Sequence, residues 1–247
     1  MKRYSLLTLA LLVSVAFFGC SGDDGSEGVS GVNGKDGSPQ PINVLVLAMD
    51  NSGASVIAFD FAAASGLPPG SEVDLIDGVA TPALSDLTPY DAIFVYTDNA
   101  PAAPDTLGDT LADYVDQGGV LVICQAALVT GFDIAGRIMT AGYSPLTPTA
   151  SAGDGAAKSI DLGSITFPLH PVLVGVDLAA YTRPGISGYS IPDVAVDAEV
   201  IANFNGGLVA FAVNDANSVF ALNDFPDAGG THIHKVIGNA MIWLTSM

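Results

Sequence analysis

The candidates for a nucleophile and a base in this chain are one internal cysteine and the three histidines. Cys124 directly follows the apolar run of residues 120–123, which is typical of a buried strand. His170 lies further along, and His232 and His234 are separated by one residue. A cysteine nucleophile needs a base that takes its proton and an acid that orients the base. If the chain is an enzyme, we therefore predict Cys124 as nucleophile and His170 as base.

Each of these residues also has a structural interpretation. Cys124 fits a small buried hydrophobe at a strand end, because unpaired cysteines are among the most buried residues. His170 fits a residue whose ring hydrogen-bonds a loop. His232 and His234 have a spacing that suits zinc, but a zinc site needs a third protein ligand and the sequence shows no cluster. The sequence therefore predicts no metal and no cofactor.

Polar residues that follow the predicted strands are candidates for ligand binding. Ligands of open α/β sheets bind outside the carboxyl ends of the strands. We predict such contacts for Asp50, Asn51, Asn99 and Gln125, and we add Arg137 as a clamp for a carboxylate. Asp50 and Asn51 are also ordinary turn residues, and Arg137 is equally suited to an internal salt bridge. Both alternatives stay open at this point.

Apolar runs alternate with helical periodicities along most of the chain. Strands are predicted at 42–49, 73–76, 92–96 and 120–124, and helices at 54–65 and from residue 104 to a Gly-Gly stop at 118–119. Such alternation specifies a parallel sheet with right-handed crossovers. Three closely spaced runs at 199–204, 207–213 and 218–222 suit antiparallel hairpins, and a last helix covers about 233–244. The predicted fold class is α/β: a three-layer, doubly wound, mostly parallel sheet with added C-terminal antiparallel strands.

Composition agrees with such a fold and excludes some partners. Hydrophobic residues make up 49% of the 247 residues and charged residues 13%, which suits a sheet covered on both faces. The formal net charge is -19, from 7 Lys+Arg against 26 Asp+Glu. This surface repels phosphate backbones and anionic headgroups. We therefore exclude nucleic acid as a partner and expect membrane contact only through a lipid.

The first twenty residues predict export. Lys2 and Arg3 precede an uncharged apolar stretch at 6–18 that is too short to span a membrane, which is the layout of a signal peptide over residues 1–19. Cys20 after Gly19 resembles the lipobox of bacterial lipoproteins. That resemblance implies acylation of Cys20 and, because Ser21 rather than Asp follows, an outer-membrane lipoprotein. The alternative is an ordinary signal cleaved nearby, with Cys20 incidental.

A glycine-rich spacer follows the cysteine over residues 20–41. Glycine recurs at every third position, six times between residues 22 and 37, and the period resembles collagen-like repeats. Six triplets with one proline are few for a triple helix, so we predict a flexible hydrophilic tether. Trimerisation through the repeat is the alternative, and the oligomeric state stays open. The folded domain then covers residues 42–247.

Several sequence segments resemble those of the class I glutamine amidotransferase-like superfamily, whose sheet is flavodoxin-like. They are LTPYDAIFVYTDN, LADYVDQGGVLVICQAA, SVFALNDFP and IGNAMIWL. GRIMTAGYSPL and HPVLVGV are most similar to its extracellular, trehalose-utilisation-like members. In the catalytic members a cysteine occupies a sharp turn between a strand and a helix, and Cys124 falls at that position.

This chain departs from the catalytic pattern at two points. Ala126 stands where the motif has glycine, and no His-x-Glu follows late in the sheet. We therefore predict a non-catalytic, membrane-anchored module that binds a small molecule, glycan or protein. The alternatives are a cysteine-dependent hydrolase or amidase using Cys124, and a structural surface or assembly protein.

Overall fold

The computed structural model describes residues 39–50, 54–148, 160–183, 191–226 and 231–247. Strands and helices alternate along these ranges. In chain order they are β1 (Asn43–Met49), α1 (Ala54–Ala64), β2 (Glu72–Asp77), α2 (Leu84–Leu87), β3 (Ala92–Thr97), α3 (Pro104–Asp116), β4 (Val120–Cys124), 3₁₀ turns at Gln125–Leu128 and Arg137–Met139, β5 (Leu146–Thr147), β6 (Ile160–Ile165), a 3₁₀ turn at Pro171–Leu173, β7 (Thr182–Arg183), β8 (Asp193–Val194), β9 (Glu199–Phe204), β10 (Val209–Val213), β11 (Val219–Leu222) and α4 (Thr231–Leu244).

One large sheet joins most of the strands in the described ranges. Its order is β2-β1-β3-β4-β11-β10-β9-β6-β7. The first five strands of that order are parallel to one another. The last four continue the sheet in antiparallel fashion, and β5 and β8 form a separate antiparallel pair. The predicted fold class, a doubly wound and mostly parallel sheet with added antiparallel strands, is confirmed.

Helices cover both faces of the parallel strands. Val44 and Val46 of β1 are fully buried on the side of α1 and α4, while Leu45 and Leu47 are fully buried on the side of α2 and α3. We call these sides the α1/α4 face and the α3 face. Because successive residues of a strand point to opposite sides, the continuous apolar runs seen in the sequence are those of strands buried on both faces.

The helices α1 and α4 approach each other most closely at Gly238. A Cβ atom at this position would lie 2.8 Å from the Cβ of Ser65 and even closer to the Ser65 carbonyl oxygen. Only glycine fits without moving the end of α1. This contact fixes α4 against α1 and so sets the direction in which α4 runs.

The sequence patterns missed part of the region after β4. No element was predicted between residues 124 and 199, where the structure has 3₁₀ turns, the short strand β5 and the longer strand β6. β6 reads IDLGSI, a mixed polar run with a glycine, and its residues are only half-buried because the strand lies near the sheet edge. β11 pairs with β10 as an antiparallel hairpin, as predicted, but it also pairs in parallel with β4 and completes the parallel half.

Several predictions fall outside the described residues: the signal peptide, acylation of Cys20, nearly all of the tether, and the ligand contact of Asn51. In the part of the chain that is described, no helix combines the length and the apolar character that a membrane crossing requires.

Candidate functional site

The carboxyl ends of the parallel strands bring polar residues together at one edge of the sheet. Asp50 follows β1, Asp98 and Asn99 follow β3, Gln125 follows β4 and Asp224 closely follows β11. The backbone N–H groups of Asp98 and Asn99 both donate to the carbonyl of Met49, at 2.9 and 2.8 Å, so the loop after β3 lies beside the end of β1. We call this end of the sheet the carboxyl edge and the opposite end the amino edge.

Cys124 is the last residue of β4 and is completely buried on the α1/α4 face. Its backbone is extended, with φ -100° and ψ 162°, and a 3₁₀ turn rather than an α-helix follows it. This differs from the strained turn that exposes a nucleophile. Burial raises the pKa of the thiol well above its ordinary value, and the negative charge of Asp224 acts in the same direction. Both effects keep Cys124 protonated and therefore unreactive.

His170 lies far from Cys124, near the amino edge. Its ring packs edge-on against Trp243, with 4.5 Å between centroids, and its Nε2 is 3.5 Å from Oε1 of Glu199, the first residue of β9. The Val172 N–H donates to Nδ1 at 3.3 Å. Burial lowers the pKa of His170, partly offset by Glu199. The ring thus braces a loop against the last turn of α4.

The course of α4 explains why the two candidate catalytic residues are apart. The helix begins after β11 at the carboxyl edge and ends with Leu244 beside the starts of β1 and β4. Cys124 ends β4 at the carboxyl edge, whereas β9, which runs in the same direction as β4, begins at the amino edge with Glu199, the residue that contacts His170. Because proton transfer needs about 3 Å or one bridging water, His170 cannot take a proton directly from Cys124.

His234, in contrast, lies in the first turn of α4 and is buried. Its ring stands edge-on to Phe61 of α1, with 6.2 Å between centroids. Burial lowers its pKa, while the Pro226 carbonyl and Asp60 act in the opposite direction. Its Nε2 has no hydrogen-bond partner, and no hydrogen bond joins Cys124 to an imidazole among the described residues. The structure therefore places a neutral histidine, but no catalytic pair, near this edge.

Three more buried polar side chains lack partners at the ends of β3 and β4. The Tyr96 hydroxyl, the Thr97 hydroxyl and Oε1 of Gln125 have no hydrogen-bond partner within the described parts of the chain. Tyr96 and Thr97 are fully buried, and Gln125 is 2% exposed. Leaving such a group unpaired costs about 1–3 kcal/mol, so native proteins keep few of them. Strand alternation puts Tyr96 on the α1/α4 face and Thr97, level with Met49, on the α3 face. Sequence analysis identified Gln125 but not Tyr96 or Thr97, which look like ordinary strand residues.

Asp224 is the buried carboxylate of this edge. It is fully buried, and its Oδ2 accepts a hydrogen bond of 2.9 Å from the Tyr181 hydroxyl, while its Oδ1 accepts one of 2.9 Å from the Phe225 N–H. The Phe225 ring stands edge-on to Tyr96, with 5.6 Å between centroids. Sequence analysis missed Asp224 and Tyr181, because they are 43 positions apart and only the tertiary fold brings them together. The only available signal was an acid directly after a predicted strand.

Arg137 does not join the other predicted ligand contacts. Its guanidinium forms a short ion pair with Asp113 and lies 3.5 Å from Asp116, both near the end of α3. It also lies 6.0 Å from the centroid of the Tyr143 ring. Since α3 runs back from the carboxyl edge, these contacts place the guanidinium toward the amino edge. These contacts are the ones expected of an internal salt bridge. The hydrogen bond to Asp113 is the largest cause of the raised pKa of Arg137.

Two open grooves lie at the amino edge instead. One, of about 470 Å³, is lined by Ile42, Tyr90 and Val120 at the starts of β1, β3 and β4. The other, of about 340 Å³, lies beside α4 at Asn239 and Trp243. Neither contains the unpartnered groups described above. No group of three or more His, Cys, Asp or Glu side chains in the described ranges is arranged to hold a metal ion.

Solved structures share this fold at low sequence identity. A ThuA-like protein from Bacteroides uniformis superposes with a TM-score of 0.59 at 15% identity, over 83% of this chain and 91% of that one. A GMP synthase protein from Thermoplasma acidophilum gives 0.52 at 10% identity, over 84% and 96%. A ThuA-like protein from Parabacteroides merdae gives 0.50 at 15% identity, over 84% and 91%.

These likenesses define the class of fold. The domain has the flavodoxin-like architecture of glutamine amidotransferase-like and ThuA-like proteins. No protein-family model matches the chain, and no curated protein matches it. At such identities a shared fold carries no shared activity, so function has to be argued from the site.

Proposed function

We propose that this chain is an exported lipoprotein, anchored through Cys20, whose amidotransferase-like domain binds a ligand at the carboxyl edge without cysteine chemistry. The observation that carries the binding role is the buried, unpartnered hydroxyl of Tyr96, and the unpartnered atoms of Thr97 and Gln125 lie at the same edge of the sheet. Groups that cost free energy in the unliganded protein regain it when a ligand supplies the missing hydrogen bonds. The edge is also where open α/β sheets bind ligands.

The environment of Cys124 supports the non-catalytic part of the proposal. Its sulfur is fully buried, its thiol is held protonated, and His170 lies near the opposite edge of the sheet. A nucleophilic thiol needs the reverse: access to substrate, a lowered pKa and an adjacent base. No contact in the described residues favours the hydrolase alternative.

The binding role is tested by thermal unfolding of the full chain with compounds sorted by charge: amines, sugars, nucleosides, amino acids and dicarboxylates. A ligand at one hundred times its Kd adds about 2.7 kcal/mol. For a domain of this size that raises Tm by roughly 5–10 °C. We expect one class to do so, and we expect Tyr96→Phe to reduce the shift.

The matched control is Tyr143→Phe. Unlike the Tyr96 hydroxyl, the Tyr143 hydroxyl already has a partner: it donates a hydrogen bond of 2.8 Å to Asp116 at the far end of α3. Its substitution should leave the ligand-induced shift unchanged. If no compound of any class changes Tm, or if both variants respond like the parent chain, the proposed binding site is wrong.

The anchor is tested separately in cells. Radiolabelled palmitate should enter the full chain and should fail to enter a Cys20→Ser variant, because the thiol is the acyl acceptor. The expected acceptor is supported by the sequence pattern around residue 20. Equal labelling of both chains, or labelling of neither, contradicts the lipoprotein proposal and leaves the binding test untouched.

A further inference from the structure

Four aspartates lie along one face of the carboxyl edge, three of them at the adjacent strands β2, β1 and β3 and the fourth two strands beyond β3. Asp77 ends β2, and Asp50, Asp98 and Asp224 follow β1, β3 and β11. Strand alternation places all four on the α1/α4 face, because Ala48, Tyr96 and Leu222, two residues before the last three, are packed on that face. Parallel pairing sets Asp77 level with Ala48, and Ala48 level with Tyr96. Neighbouring strands thus contribute carboxylates to one surface.

The unpartnered Tyr96 hydroxyl lies among these carboxylates. Besides burial, the charges of Asp50, Asp77 and Asp98 raise the pKa of Tyr96, which places all three within electrostatic reach of its oxygen. The phenol therefore stays protonated at every ordinary pH. The Tyr96 hydroxyl is buried and has no hydrogen-bond partner among the described residues. It lies close to an acidic surface.

Positive charge is missing from this surface as far as the structure describes it. The two cationic side chains that are described lie elsewhere: Arg137 pairs with α3, and Lys235 extends over Gly66 at the end of α1. Asp77 and Asp98 are exposed, and neither side chain forms a hydrogen bond or ion pair with a described residue. The carboxylates of Asp77 and Asp98 are therefore acceptors near Tyr96 to which no described side chain donates.

We propose that the ligand of this edge is a small organic cation, a primary amine or a guanidinium, held by the carboxylates of Asp50, Asp77 and Asp98 beside the Tyr96 hydroxyl. This inference rests on the proposed binding function and names its ligand class. Ammonium and guanidinium groups carry only donors, which is the complement of an acceptor-rich surface. An anionic ligand is repelled by the same carboxylates.

The test is calorimetric titration of the full chain with 1,4-diaminobutane and agmatine. N,N′-Diacetyl-1,4-diaminobutane and sucrose are the uncharged counterparts, and succinate is the anionic one. We expect the two cations to bind, the counterparts to bind at least about tenfold more weakly, and binding to weaken between 20 and 300 mM NaCl, because salt screens the attraction. Asp98→Asn should weaken binding of the cations by about tenfold, the usual order for a charged hydrogen-bond partner.

Asp197→Asn is the matched control, because it removes the same charge. Asp197 is exposed and lies two residues before β9, which starts at the amino edge. It should bind the cations as the parent chain does. If Asp98→Asn also binds unchanged, the inference is overturned. If sucrose or another uncharged compound binds in a Tyr96-dependent way and the cations do not, the ligand class is wrong while the binding function stands. If no probe of any class binds, both are wrong.

Discussion

Replacing Tyr96 with phenylalanine should stabilise the protein, contrary to the usual effect of removing a buried hydroxyl. The hydroxyl is fully buried and has no hydrogen-bond partner among the described residues, so the folded state bears its desolvation cost without a compensating bond. That cost is about 1–3 kcal/mol. The ring itself, stacked on Phe94 with 5.7 Å between centroids, is retained in the variant. We therefore expect the free energy of unfolding to rise by about 1–3 kcal/mol, which for a domain of this size raises Tm by about 2–4 °C per kcal/mol.

Two other buried tyrosines provide matched controls of opposite sign. The Tyr114 hydroxyl donates to the Tyr90 carbonyl at 3.0 Å, and the Tyr181 hydroxyl donates to the Asp224 carboxylate at 2.9 Å. Tyr114→Phe should lower the free energy of unfolding by about 1 kcal/mol, and Tyr181→Phe by about 1.5–3 kcal/mol, because its acceptor is charged.

Urea denaturation followed by the fluorescence of Trp243, the one tryptophan of the chain, measures all three variants in the same way. The slopes of the transitions should agree, so that midpoints can be compared directly. If Tyr96→Phe lowers stability as the other two do, its hydroxyl has a partner in solution. The argument for a ligand site at this edge would then lose its basis.

Three further predictions concern pH, packing and thiol access. Burial holds the pKa values of His170 and His234 below their usual value, so below about pH 6.5 the unfolded chain binds more protons than the folded one. The free energy of unfolding should therefore fall from pH 7 to pH 5. If His234→Phe leaves the dependence of this free energy on pH unchanged, the prediction is wrong. Gly238→Ala should destabilise by about 1–3 kcal/mol despite better helix propensity, because its Cβ meets Ser65; a gain in urea midpoint would show that α1 yields freely. In a Cys20→Ser chain, iodoacetamide at pH 7.5 should label Cys124 only after urea unfolding. Rapid labelling of the native protein would instead support Cys124 as a nucleophile.

Most of the fold could be predicted because its central strands are buried on both sides. Each of β1, β3 and β4 is a continuous apolar run ended by polar or turn residues, so strand type and boundaries are visible in the sequence. The edge strands were harder. β6 and β7 are short or half-exposed, and β6 pairs not only with β7 but also with β9, which comes later in the sequence. Local patterns carry no information on such distant pairing.

The candidate site could be predicted in position but not in content. The rule that ligands bind at strand carboxyl ends selected Asp50, Asn99 and Gln125, which the structure places at that edge, and their contact with a ligand stays a prediction. Whether a buried hydroxyl has a partner, however, depends on what the tertiary packing brings to it, and so Tyr96 could not be distinguished from Tyr181 in the sequence. The same holds for Arg137, whose partners lie on a helix more than twenty residues earlier.

One electrostatic feature connects the raised pKa of Cys124 to the proposed ligand. Negative charge around the carboxyl edge disfavours a second negative charge there: Asp224 raises the pKa of Cys124, and three other aspartates raise that of Tyr96. A thiolate would be a further anion in this field, so the surroundings that oppose cysteine chemistry are those that favour a bound cation. Conversion to a cysteine enzyme would need more than a histidine beside the sulfur. It would also need the aspartates neutralised. Near these carboxylates an imidazole is protonated more readily and the thiol is deprotonated less readily, so the imidazole would take its proton from the solvent rather than from the thiol. Burial, which is the largest cause of both raised pKa values, and the surrounding negative charge therefore both oppose formation of a thiolate at Cys124.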